Sequence, residues 1–156
     1  KVVVLDSAGF RLQPGERPFM IEVLGSRAAT AAVSRLPIRR LLTKITLGQL
    51  LHDEQALTEE RIDEYVAPLL GQGALEATRS LLHSGVAPGF AEGLPRIQAK
   101  TLIAWGRYDP WLPLSDADHF AALIPGSRLR VLDAGHMPQE ERPDEVARLL
   151  AEFLNS

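Results

Sequence analysis

The sequence predicts an α/β fold in which a parallel sheet is interrupted by a long helical segment. Residues 2–5 form a short, wholly apolar run that ends at a turn, which is typical of a strand buried on both faces. Residues 101–105 and 128–132 are strand-like runs on either side of a helical pattern, and this order implies parallel pairing. Roughly 90 residues separate the first strand from the second, far more than one crossover helix needs.

The interrupting segment is predicted to contain three helices. The first spans residues 38–51. Its expected inward-facing residues are Leu41, Leu42, Ile45 and Leu50. Thr58 is the expected N-cap of the second helix, which Pro68 should kink or end. The apolar face of that helix comprises Ile62, Tyr65, Val66, Leu69 and Leu70. The third helix runs over residues 73–83 and stops at Gly85.

The remaining elements follow the second strand. Ser115 is the expected N-cap of a helix over residues 115–124, which a Pro-Gly pair ends. The strand at 128–132 alternates apolar and polar residues, so we place it nearer an edge of the sheet. Pro143 suits the first position of the last helix. The apolar stripe of this helix comprises Val146, Leu149, Leu150, Phe153 and Leu154.

The composition is that of a globular protein and excludes several classes of function. The chain has 156 residues, no cysteine and a net charge of −3. Without cysteine this sequence holds no disulfide framework, Cys-ligated zinc site or thiol nucleophile. A small acidic excess gives no electrostatic reason to bind nucleic acid, and no apolar run is long enough to cross a bilayer. We therefore expect neither nucleic acid nor a membrane as a partner.

Two loops carry the candidate chemistry. Each follows a predicted strand at its carboxyl end, where open α/β sheets bind ligands. The first contains Asp109 and the second contains His136, so an acid and an imidazole should meet. An aspartate bonded to one ring nitrogen fixes the histidine tautomer and leaves the other nitrogen to act as a general base. Asp133 is a less favoured alternative acid. Trp111 and Met137 either line a substrate pocket or pack beside the pair.

Motifs in this half of the chain resemble the carboxyl-terminal part of the α/β-hydrolases. They are Leu94-Pro95-Arg96-Ile97, the run from Thr101 to Asp109 with Pro113, Ile124-Pro125-Gly126-Ser127, Gly135-His136 and Glu141-Arg142-Pro143. The resemblance implies that Asp109 is the acid and His136 the base of a catalytic triad. It also implies a partial α/β-hydrolase parallel sheet with an inserted helical cap. The implied divisions are a core strand at 1–10, the cap at 11–95 and the carboxyl-terminal part of the core at 96–156.

The nucleophile motif of that family, Gly-x-Ser-x-Gly or a variant with Asp or Cys at its centre, does not occur in the sequence. The nearest match surrounds Ser7, lacks the first glycine and follows a different strand, so we expect Ser7 to be a turn or pocket-wall residue. We therefore expect a carboxyl-terminal fragment that supplies acid and base only. Its first residue, Lys1, directly precedes a strand, which agrees with this expectation. Its expected partners are a small-molecule substrate and either the missing amino-terminal half or a second copy at the open sheet edge.

Three functions remain open from the sequence. The first is hydrolysis of an ester or similar carbonyl substrate, as in the esterases and C–C bond hydrolases of the family. The second uses an aspartate nucleophile, as in haloalkane dehalogenases and epoxide hydrolases. Epoxide hydrolases use cap tyrosines, and Tyr65, on a face expected to be core, is the only tyrosine in this cap. The third is a non-catalytic, self-associating half-domain. No cofactor or metal is implied, and the composition is compatible with a cytoplasmic location.

Overall fold

The chain forms two compact units. In this computed structural model the described residues are 1–10, 25–35, 37–71, 73–84 and 86–156. The first unit comprises Lys1–Phe10, Leu50–Ala56 and Pro88–Ser156, and the second comprises Arg11–Gln49 and Leu57–Ala87. The segment Leu50–Ala56, which the sequence places within the helical insertion, therefore belongs to the same unit as the sheet.

A three-stranded parallel sheet is the centre of the first unit. The strands are β1 (Val2–Leu5), β2 (Thr101–Gly106) and β3 (Arg128–Leu132), in the order β1-β2-β3. The predicted strands and their parallel pairing are confirmed. The helices of the described residues are α1 (Arg27–Arg35), α2 (Arg39–Leu50), α3 (Glu59–Leu69), α4 (Ala74–Ser84), α5 (Phe90–Gly93), α6 (Leu114–Leu123), α7 (Pro138–Glu141) and α8 (Pro143–Asn155). Single 3₁₀ turns occupy Glu54–Ala56 and Leu94–Arg96.

The strands differ in burial because β2 lies between the other two. All six residues of β2 are buried, whereas β3 alternates between exposed and half-buried positions up to the buried Leu132, which agrees with its predicted place nearer an edge. The expectation that β1 is buried on both faces is wrong. Val2 and Val3 are 36% and 38% exposed, because β1 pairs only with β2 among the described residues.

Helices α6 and α8 complete the first unit. The predicted start of α6 is corrected, because Pro113 occupies the N-cap position and Ser115 lies inside the helix. Pro143 begins α8 as predicted. Val146, with Leu149 and Leu150, packs on an apolar cluster from β2, β3 and the loop after β3. The placement of Leu154 in the buried stripe is wrong, since its side chain is exposed at the end of the helix.

In the second unit the helices form close to their predicted positions. Thr58 caps α3 by accepting a hydrogen bond of 3.2 Å from the Arg61 N–H, and α3 ends one residue after Pro68. Some predicted inward-facing residues are wrong, because Leu41 and Ile45 of α2 and Leu70 after α3 are exposed. Leu50 is buried as predicted, and the other buried residues of α2 are Thr43 and Leu47. Helix α2 has apolar residues on more than one side, so the sequence pattern did not identify the packed face. The predicted stop at Gly85 lies outside the described residues.

Phe120 of α6 is the centre of an aromatic cluster beneath the sheet. Its side chain is fully buried, and its ring centroid lies 5.0 Å from that of Phe10 and 5.9 Å from that of Trp105. Phe90 contacts the same ring edge-on, and a Cβ at Gly9 would collide with it. The segment after β1 therefore rests directly on Phe120.

We predict that Phe120→Ala lowers the free energy of unfolding by about 3–5 kcal/mol, because it leaves a cavity that three neighbouring rings cannot fill. Urea unfolding followed by circular dichroism measures the loss. Leu154→Ala, at an exposed position, is the control and should change the free energy by less than about 0.5 kcal/mol. Equal losses in the two variants would contradict the assignment of Phe120 to the core.

Candidate active site

The loops after β2 and β3 meet at the carboxyl edge of the sheet. Parallel pairing carries Gly106 of β2 opposite Leu132 of β3, so the two strands end together. Beyond the strands, the Arg107 N–H donates to the Leu132 carbonyl at 2.9 Å and the Tyr108 N–H donates to the Ala134 carbonyl at 3.0 Å. The parallel ladder thus continues into both loops and fixes their relative positions.

Asp109 and His136 face each other across these loops. Oδ2 of Asp109 and Nδ1 of His136 are 2.7 Å apart, the Asp109 side chain is fully buried, and the His136 side chain is 21% exposed. The other oxygen of Asp109 accepts hydrogen bonds from the N–H groups of Trp111 at 2.7 Å and Leu112 at 2.9 Å. A carboxylate held by backbone donors therefore orients the imidazole and leaves Nε2 for proton transfer.

Two glycines permit this close approach of the loops. A Cβ at Gly106 would collide with the carbonyl of Gly135 and lie 2.7 Å from the carbonyl oxygen of Ala134. A Cβ at Gly135 would collide with the Leu50 carbonyl and lie 2.8 Å from the His52 nitrogen. The next residue, His136, donates its N–H to the Leu50 carbonyl at 2.8 Å. Side chains at either glycine would push the His136 loop away from its supports.

Glu141 fastens the His136 loop to the segment Leu50–Ala56. Its Oε1 accepts the Gly135 N–H at 2.7 Å, and its Oε2 accepts the N–H groups of His52 at 2.9 Å and Asp53 at 2.6 Å. The Glu141 side chain is buried. Arg142 adds an ion pair of 3.0 Å to the Asp53 carboxylate. This buried carboxylate therefore positions the backbone on both sides of the base.

A third acid, Asp6, lies behind the pair. It follows β1 directly, is buried, and accepts the Gly106 N–H at 2.7 Å with Oδ1. The pKa of Asp6 is raised to about 7, chiefly by burial. The Gly106 N–H lowers this pKa, the nearby Asp109 carboxylate raises it and His136 lowers it. Sequence analysis missed both Asp6 and Glu141. A carboxylate directly after a wholly apolar strand was the available signal for Asp6.

The structure brings some of the other candidate residues to the pair. The Trp111 ring centroid is 5.6 Å from that of His136, and Met137 is buried next to it in sequence. Ser7 is half-buried after β1, and within the described part of the chain it has no hydrogen bond to Asp109 or His136. His52 is exposed, and its ring stacks on that of Tyr108 with 3.9 Å between ring centroids.

The described residues contain no cluster of three or more His, Asp or Glu side chains that could hold a metal ion. Among the same residues, no helix has both the length and the apolar composition to span a membrane.

A parallel sheet whose strand-end loops hold a buried aspartate against a histidine defines an α/β protein with an acid–base site. A model of the Alpha/beta hydrolase family matches residues 1–149, and the chain belongs to this family. The resemblance seen in the sequence, and the partial α/β-hydrolase sheet that it implied, are confirmed.

Similar proteins include hydrolases of several kinds. Uncharacterized hydrolase YugF of Bacillus subtilis is 27% identical over 159 residues, covering 99% of this chain and 56% of YugF. The 2-hydroxy-6-oxononadienedioate/2-hydroxy-6-oxononatrienedioate hydrolase 2 of Pseudomonas putida is 41% identical over 68 residues, 43% of this chain and 24% of that protein.

Solved structures show the same fold. The 2-hydroxy-6-oxo-6-phenylhexa-2,4-dienoate hydrolase of Rhodococcus sp. strain RHA1 superposes with a TM-score of 0.75 at 21% identity, covering 100% of this chain and 55% of that one. An esterase from Exiguobacterium antarcticum gives a TM-score of 0.71 at 21% identity, covering 99% and 56%. The chain spans about half the length of these structures and of YugF.

We predict that Glu141→Ala lowers the free energy of unfolding by at least about 3 kcal/mol, because three backbone N–H groups lose a charged acceptor. Glu141→Gln should lose less, since it keeps one oxygen acceptor. Glu152→Ala, at an exposed position of α8, is the control. Chemical denaturation ranks the variants, and an Ala variant as stable as the control would show that Glu141 does not hold the loops.

We predict that Asp6 makes the stability pH-dependent. The folded state raises the pKa of Asp6 to about 7, so it favours the protonated form relative to the unfolded chain. This contribution is fully present below about pH 4 and is lost as the pH rises through about 7. Asp6→Asn removes the ionisation, so its stability advantage over the wild type should grow between pH 5 and pH 8 to a few kcal/mol. If the urea midpoints of the wild type and Asp6→Asn differed by the same amount at pH 5 and at pH 8, this prediction would be contradicted.

Proposed function

We propose that Asp109 and His136 are the acid and base of an α/β-hydrolase site that cleaves an ester or similar carbonyl substrate. The hydrogen bond of 2.7 Å between Asp109 Oδ2 and His136 Nδ1 is the observation that carries this proposal. In it, His136 takes the proton of the nucleophile on Nε2, and the Asp109 carboxylate stabilises the imidazolium that forms. The imidazolium then donates this proton to the leaving group, and a water molecule hydrolyses the acyl intermediate by the same route.

In this proposal the nucleophile comes from a polypeptide segment outside the 156 residues, so that this chain supplies acid and base. The sequence has no Gly-x-Ser-x-Gly turn, and Ser7 has no hydrogen bond to His136 among the described residues. The exposed Val2 and Val3 support pairing of β1 with a further strand, either of the remaining hydrolase or of a second copy. The relatives, about twice as long as this chain, have room for such a segment.

The substrate in this proposal is a small molecule with a carbonyl group. Trp111 and Met137 lie next to His136 and would contact the acyl or leaving group of the substrate. Similar proteins are named as an esterase, a monoacylglycerol lipase and a 2-hydroxy-6-oxo-6-phenylhexa-2,4-dienoate hydrolase, and the compounds in these names carry carbonyl groups, which supports a carbonyl substrate here. We assign the helical unit, predicted as a cap over residues 11–95, to substrate selection.

We predict that Asp109→Asn and His136→Ala each lower kcat/KM by on the order of 10⁴-fold in the hydrolase that contains these residues. The Asn variant should present the wrong imidazole tautomer, and the Ala variant has no base. Release of p-nitrophenol from short-chain esters measures the rates.

The matched control is Asp118→Asn, which makes the same substitution at an exposed position of α6 and should retain wild-type turnover. Near-normal rates in Asp109→Asn and His136→Ala would overturn the proposal.

A further inference from the structure

Asp6 is a buried acid that the proposed reaction does not use. Its backbone has a φ of 36°, in the left-handed region that residues with a Cβ seldom adopt, so its position is held under strain. Oδ1 is satisfied by the Gly106 N–H. Oδ2 is buried and, as a carboxylate oxygen, has no hydrogen-bond donor within the described part of the chain. A buried acceptor without a donor is costly, whereas a protonated oxygen at the same place becomes a donor itself.

Asp109 is the acceptor next to this oxygen. A carboxylate has about four acceptor positions, and three of those on Asp109 are taken by the N–H groups of Trp111 and Leu112 and by His136 Nδ1. Asp6 lies beside the Asp109 loop, because β1 pairs with β2 and Asp6 accepts the Gly106 N–H, while the Gly106 carbonyl accepts the Asp109 N–H at 3.3 Å. Hydrogen bonding between the two carboxyls, which contributes to the raised pKa of Asp6, agrees with this placement. A proton on Asp6 therefore fills the fourth position.

We propose that Asp6 is a positioning residue for the acid–base pair: its protonated carboxyl donates a hydrogen bond to Asp109, and its ionisation adds a second negative charge behind His136. The inference rests on the proposed function for its effect on catalysis, but the carboxyl pairing itself does not. Asp6 acts through Asp109 and does not touch the substrate.

This arrangement couples the site to pH in the neutral range. The titratable groups that act on Asp6 are Asp109, from the loop after β2, and His136, from the loop after β3. The other titratable side chains on these loops and on α6 are Arg107, Tyr108, Asp116, Asp118, His119 and Asp133. Below about pH 7 Asp6 is neutral and holds Asp109 in place. Above it, the hydrogen bond from Asp6 is lost and a second carboxylate lies next to that of Asp109.

The first experiment measures the pairing without any turnover. In protein labelled with ¹³C at the aspartate carboxyls, the Asp6 resonance should titrate with a midpoint near pH 7. Asp109→Asn removes the neighbouring charge and should move this midpoint down by about one unit. Asp118→Asn, at an exposed position, should leave it in place. A midpoint below about pH 5, or a midpoint that is the same in Asp109→Asn as in the wild type, would overturn the inference.

The second experiment measures the effect on catalysis with two variants of Asp6, each made in the hydrolase that contains these residues. Asp6→Asn keeps the hydrogen bond to Asp109 without the charge, so it should retain kcat within about tenfold. Its pH profile of kcat/KM should lack the change near pH 7 that accompanies ionisation of Asp6 in the wild type. Asp6→Leu loses the hydrogen bond as well and should lower kcat further than Asp6→Asn does.

The failures of the two proposals are distinguishable. A pH profile of Asp6→Asn that coincides with that of the wild type, while Asp109→Asn still abolishes turnover, would overturn the role of Asp6 and leave the proposed function standing. Absence of all esterase turnover in the hydrolase that contains these residues would count against the proposed function, and the carboxyl titration would still decide whether Asp6 and Asp109 share a proton.

Discussion

The buried Asp109 carboxylate is the group on which the geometry of the site depends. Its side chain has no contact with solvent, so its oxygens depend on donors inside the protein. Two donors come from its own loop, which curls around it, and the third is the ring of His136. The hydrogen bonds of this one buried carboxylate therefore fix both the shape of the loop after β2 and the orientation of the imidazole.

The pairing of buried carboxylate oxygens with hydrogen-bond donors also explains how the His136 loop is supported. The His136 loop is held from behind, where Glu141 bonds the N–H groups of Gly135, His52 and Asp53. Gly106 and Gly135 allow backbone atoms to approach to distances that a side chain would prevent. Two buried carboxylates thus act in different ways: that of Asp109 orients the imidazole ring, and that of Glu141 orients the backbone that carries it.

The contacts of the site that the sequence predicted and those that it did not predict differ in how far apart the contacting residues lie along the chain. Asp109 and His136 lie 27 residues apart, on loops that follow neighbouring strands, and parallel pairing places such loops side by side. Gly106, which donates to Asp6, lies 100 residues from it, and His52, which donates to Glu141, lies 89 residues from it. No periodicity or turn pattern connects residues so distant, so only the folded chain shows these contacts. The burial of β1 and α2 was misjudged for a related reason, because apolar composition does not tell which neighbours are present.

By itself, the sequence determined the parallel α/β sheet, the order of its elements and the meeting of Asp109 with His136. These features follow from apolar runs, helix periodicity and turn residues, which are local properties. Only the tertiary structure decided that Asp6 sits behind Asp109, that Glu141 holds the His136 loop and that Leu50–Ala56 belongs to the unit of the sheet. The physical reason is that a buried polar group finds its partners through packing in three dimensions, and those partners stand far apart along the chain.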